Sequence, residues 1–255
     1  MPDRPSLLPQ MAHLFAAQAR LYCISTGIAG LLGIVSLTAI SLFMVHGADQ
    51  ATPDPRALWQ SMSFSHQLIA IFGLIFALWT PVLLAARAVC RITAERLSER
   101  TIALSDVLAD MARFIPAALI YALVIGIPAM IGGTILFIPG MVVASIFVLV
   151  IPVAVNERVG IVAALKRGVS LDGQIFVKGL LAVLACGAII GLLLFLRIAF
   201  IDRFLPGSYK SLFAIRFAII YLPSLLLLVL ANICFTLLYH EARARQAPAA
   251  PGVPH

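Results

Sequence analysis

Charge is scarce in this chain. Only 11% of its 255 residues are Asp, Glu, Lys or Arg, against about a quarter in an ordinary soluble domain. A soluble domain of this length surrounds one core with a charged surface, and too little charge is present to make one. The composition therefore fits a single membrane domain over residues 1–245, with no room for a separate soluble catalytic domain. Charge is missing altogether from five apolar blocks: Leu21–Val45, Gln67–Ala86, Phe114–Asn156, Gly179–Leu196 and Phe217–Tyr239. Ionisable residues at mid-depth are costly and mark ion paths, proton relays and intramembrane active sites. A pump or proton-coupled carrier would have no buried titratable group here.

Catalytic and metal motifs are missing too. The chain has no Gly-x-Ser-x-Gly, no HExxH, no paired carboxylates and no phosphate-cradling glycine loop. Cys23, Cys90, Cys186 and Cys234 show no CxxC or Cys/His spacing and read as small packing residues. His46, His66 and His240 lie at the ends of apolar blocks, too scattered for a ligand set. The expectation is a protein that is not an enzyme, with no catalytic, cofactor-binding or metal-binding residue. Met1–Arg20 also lacks the basic n-region of a secretory signal, so residues 21–45 read as a retained span.

What the chain does have is apolar length. Four of the blocks run 18 to 25 residues, enough at about 1.5 Å per residue to cross a hydrocarbon core of about 30 Å. The third runs 43 residues and carries Ile138-Pro139-Gly140 near its middle. As one helix it would be about 65 Å long, so it must fold back. The predicted fold is all-α and polytopic, with six transmembrane helices at about 21–45, 67–89, 115–137, 140–156, 176–197 and 214–239. Residues 246–255, rich in Ala and Pro, read as a flexible tail.

Basic residues sort between alternate loops. Thirteen fall on the side of the termini, among them Arg87, Arg91, Arg158, Lys166, Arg167, Lys178 and Arg243. Five fall on the other: Arg56, Arg197, Arg203, Lys210 and Arg216. Lys/Arg excess marks the cytoplasmic face, which predicts both termini inside. The net charge of +7 then calls for anionic lipid rather than nucleic acid.

Three cytoplasmic segments carry apolar stripes of helical period, as helices lying in the membrane interface do. The first holds Met11, Leu14, Phe15, Ala19 and Tyr22, interrupted by Gln18. The second sets Val107, Leu108, Met111 and Phe114 against Asp106, Asp110 and Arg113, with Ser105 as the expected N-cap. The third sets Val159, Val162, Leu165 and Val169 against Lys166 and Arg167. Each stripe fits equally a helical extension packed on other protein. The second span is expected to run on through Arg87, Arg91, Glu95, Arg96 and Arg100, with Arg91 and Glu95 at pairing distance.

Pro128 and Pro152 lie inside the third and fourth spans, and Pro139-Gly140 makes the turn between them. These are the hinge and turn candidates. Gly27, Gly30 and Gly33 permit close helix approach, within a monomer or between copies. The ordered polar group is Glu157, Arg158, Lys166 and Arg167. There the short helix folds Glu157 towards Arg167 or towards the arginines after span two, as a structural clasp or lipid-headgroup site. Arg197 and Arg216, at the outer ends of spans five and six, are the other headgroup candidates.

The stretch IPGMVVASIFVLVIPVAVNERVGIVAALKRGVSLDGQ, residues 138–174, resembles the glycerophosphoryl diester phosphodiesterase membrane-domain family. The shared pattern is a Pro-Gly turn, a span ending in Pro and Glu, Ala-Leu-x-Arg-Ser and Leu-x-x-Gly. Leu238-Tyr239 through Arg243 and Arg245 resembles its closing aromatic-plus-basic signature. The likeness covers roughly residues 100–245. Gly168 replaces the usual serine, and Leu171-Asp172-Gly173 is a shortened last element. The family takes its name from members fused to a phosphodiesterase, and no such domain is present here. The resemblance implies a multi-pass bacterial inner-membrane protein. The function expected is non-enzymatic: binding membrane lipids, or assisting another membrane process, as a monomer or an oligomer. The alternative is a small permease or lipid translocator using the kinked third and fourth spans.

Overall fold

A computed structural model describes residues 7–46, 59–135, 149–196 and 209–246. Every element of more than one residue described there is helical: α1 (Leu7–His46), α2 (Phe64–Leu97), α3 (Leu104–Ile135), α4 (Val150–Asn156), α5 (Ile161–Leu196) and α6 (Tyr209–Gln246). Four segments are long and apolar enough to cross a membrane: Leu7–Met44, Phe64–Leu97, Leu104–Pro128 and Leu226–Gln246. A fifth is added when the two legs of α5 count as one span. Pro139, Gly140, Arg197 and the tail beyond Gln246 lie outside the described residues.

The helix ends follow local chemistry. Ser63 caps α2 from extended backbone, its hydroxyl accepting from the His66 N–H. At the other end Glu99 takes a left-handed φ of 57°. The Glu99 N–H bonds the Arg96 carbonyl and the Arg100 N–H bonds that of Glu95, closing the last turn in a Schellman arrangement. α2 thus runs well past its apolar block, as expected, and Arg91 pairs with Glu95 at 2.7 Å. α3 begins earlier than expected. Ala103, rather than Ser105, accepts the first backbone bonds, from Asp106 and Val107.

Packing is uneven along the helices. α1 packs on α2, α2 on α3, α5 on α6, and α6 also on α1 and α2. α4 sits against α2 and α5. The fully buried large side chains, Tyr22, Tyr121, Tyr239, Leu171 and Ile233 among them, gather at the end rich in arginine and lysine. There the Tyr22 hydroxyl meets Thr93 Oγ1 at 2.9 Å and ties α1 to α2. Towards the other end α1 leaves Leu31 63% and Val35 66% exposed. Such apolar exposure is what a hydrocarbon solvent tolerates.

The three apolar stripes have different fates. Leu14 and Tyr22 of the first are buried in the core, and backbone at Gln18 departs from helix there (φ −133°, ψ 20°). Val107, Met111 and Phe114 of the second are buried as well. Both are protein-packed extensions of their spans.

Gly126 of α3 is where that helix closes on α2. A Cβ there would lie 2.8 Å from Trp79 Cδ1 and 3.1 Å from Cγ, the base of a ring that cannot swing aside cheaply. Gly126→Ala should therefore cost about 1–3 kcal/mol, read as a lowered unfolding midpoint in detergent. An unchanged midpoint would show that the α2–α3 contact is looser than this.

Candidate functional site

Two features stand out: a polar network at the basic end and an apolar cavity beside it. The network begins with Arg87, which α2 carries just past its apolar block. Its Nε and Nη2 donate to Asp110 Oδ2 and Oδ1 at 2.7 and 3.0 Å, a bidentate fork joining α2 to α3. Nη1 donates to the Ala154 carbonyl of α4 at 3.4 Å, and the guanidinium lies 4.8 Å from the centre of the Phe114 ring.

Glu157 turns to Arg167, whose Nε lies 3.6 Å from Oε1. It does not reach the arginines after span two, because Arg87 is taken by Asp110 and Arg91 by Glu95. Tyr239 of α6 donates its hydroxyl proton to Glu157 Oε1 at 3.2 Å, and Arg243 Nη1 donates to the Tyr239 oxygen at 3.4 Å. One carboxylate therefore links α4, α5 and α6. A third group joins α5 to α6: Lys178 Nζ and Arg245 Nη2 each lie 2.5 Å from Glu241 Oε1. Among the described residues the second group brings two cations, Arg167 and Arg243, to one carboxylate, Glu157, and so carries surplus positive charge.

Arg158 is exposed at a left-handed φ of 51°, and Lys166 is exposed on the outer side of α5. Arg216 falls on α6 at a position whose side chain is not described. Pro152 is buried in α4, and its carbonyl accepts from Asn156 Nδ2 at 2.7 Å. Pro128 lies exposed inside α3. Among the described residues no three His, Cys, Asp or Glu groups stand close enough to hold a metal. The network has ion pairs and hydrogen bonds that lock helices together.

The cavity lies among α1, α2, α5 and α6 and holds about 450 Å³. Gly30 and Gly33 of α1, Pro81 of α2, Cys186 and Gly187 of α5 and Phe235 of α6 are on its wall. Gly30 and Gly33, two of the glycines expected to permit close helix approach, are buried at this wall. Pro81 has no N–H to give the Ala77 carbonyl one turn back.

Sequence reasoning missed the Arg87–Asp110 fork, Tyr239 as a partner of Glu157, and the cavity. The first had a signal: a carboxylate on the polar face of a short helix next to an arginine at a span end. No family model, curated protein or solved structure matches the chain.

Proposed function

We propose that this is a six-span integral membrane protein of the bacterial inner membrane, with its basic end and both termini in the cytoplasm, that binds lipid without enzymatic chemistry. The observation carrying this reading is the cavity. An apolar void of about 150 Å³ stays dry and takes up hydrocarbon, because water there lacks the two to four polar partners it needs. The space here is about 450 Å³, within the range of small-molecule sites. It is walled by residues of the apolar blocks, at the depth where acyl chains lie. A lipid chain is the occupant of matching chemistry. The surplus positive charge of the network lies towards the cytoplasmic side, where anionic headgroups gather.

The translocator reading is weaker, because the cavity wall comes from α1, α2, α5 and α6 rather than from the proline-bearing third and fourth spans. Likeness to the phosphodiesterase membrane-domain family is likewise a proposal. It is supported by the meeting of Glu157, Arg167, Tyr239 and Arg243, all within the stretches that carry the resemblance.

Native mass spectrometry of gently extracted protein tests the reading. Retained lipid of defined mass is expected, and Ala231→Phe, which fills the wall from α6, should remove most of it while the protein stays folded. A protein with no retained lipid, or lipid retained undiminished by Ala231→Phe, would count against the cavity as the site.

A further inference from the structure

The third apolar stripe is the one that the protein leaves partly uncovered. Val162 is 79% and Val169 44% exposed, while Val159 and Leu165 pack against the core. The opposite side of the same leg carries a different stripe, Ala164, Gly168 and Leu171, and that one is buried against the rest of the protein. The leg is thus filled on its inner face, and its outer face sets Val162 and Val169 beside Lys166. Its axis, Val162–Leu171, is bent by 102° from that of Ile175–Ile189. With the second leg across the bilayer, the first runs close to the membrane plane. Lys166 is exposed about 40° around the helix from Val162, and exposed Arg158 precedes the leg.

We propose that Val162–Leu171 is an arm lying on the leaflet at the basic end. Val162 and Val169 enter the acyl boundary, while Lys166 and Arg158 reach the phosphates of anionic phospholipid. Charge and placement select this occupant. A lysine beside exposed valines suits an interface with hydrocarbon below and phosphate above, where the long side chain snorkels outward. The arm is held at its height from the inner side, by Arg167 on Glu157 and by Gly168 against Val150. This proposal needs the chain to cross the bilayer, as the proposed function does, but not the cavity to be occupied.

The test uses full-length protein with its four cysteines replaced by alanine and a nitroxide at Val162→Cys, Val169→Cys or Gly160→Cys. It is reconstituted in phosphatidylcholine vesicles, with or without phosphatidylglycerol. Collision with oxygen should exceed collision with a water-soluble nickel chelate at 162 and 169, and the order should reverse at 160. Phosphatidylglycerol should deepen the first two sites, and Lys166→Gln with Arg158→Gln should abolish that increment. Nickel dominance at 162 and 169 would place the arm in water and overturn the proposal. Loss of both collisions there would mean that protein covers it, a partner or a second copy, and would overturn it equally. Indifference to phosphatidylglycerol would remove the anionic-lipid assignment. None of these outcomes alters lipid retention in the cavity, so the two readings fail separately.

Discussion

Arg87→Ala should be the most damaging single substitution at the basic end, costing about 3–5 kcal/mol in equilibrium unfolding from mixed micelles. Arg87 and Asp110 are both largely buried, their side chains 15% and 26% exposed. Removing the guanidinium leaves the Asp110 carboxylate in a poorly solvated place without its fork, and it strips the Ala154 carbonyl and the Phe114 ring of their cation. Lysine at 87 keeps the charge but not the fork, so its loss should be smaller. A double change to Arg87→Met with Asp110→Leu should recover most of the stability, since the cost lies in the orphaned charge more than in the missing attraction.

A cost under about 1 kcal/mol for Arg87→Ala, the level of an exposed pair, would mean that the fork is solvated and does not hold α2 to α3.

Hydropathy made the class legible, because a long uncharged block has few soluble uses. The same periodicity could not tell which stripes meet protein and which meet lipid. Val107, Met111 and Phe114 look in sequence like Val162, Leu165 and Val169, yet the first set is buried, whereas Val162 and Val169 face out and Leu165 alone packs on the core. The difference comes from what each helix is packed against, and that is set by contacts distant in sequence. The Glu157–Arg167 approach was readable, since a ten-residue separation across a short helix limits where the carboxylate can go. Its contact with Tyr239, 82 positions away, was not. The cavity was illegible for the same reason, as each of its four walls contributes only a few small residues.

Gly168→Leu should separate α5 from α4 and release the arm. A Cβ at Gly168 would lie 3.0 Å from Val150 Cγ2, 3.1 Å from its Cα and 3.2 Å from its backbone nitrogen. Two of those atoms are main chain at the first turn of α4, so no rotamer change relieves the contact. Alanine or serine asks for a shift of a few tenths of an ångström and should cost about 1–3 kcal/mol. Leucine asks for more and should also part Arg167 from Glu157, because the shifted leg carries Arg167. Gly191→Ala is the control: it sits in the same helix with nothing within 4 Å, and it should lose no stability. Serine is the informative intermediate, as it adds a hydroxyl to the Cβ of alanine. If Gly168→Ser unfolds like Gly168→Ala, the glycine is there for close approach alone. If serine is as stable as glycine while alanine is not, its hydroxyl finds a partner that offsets the crowding.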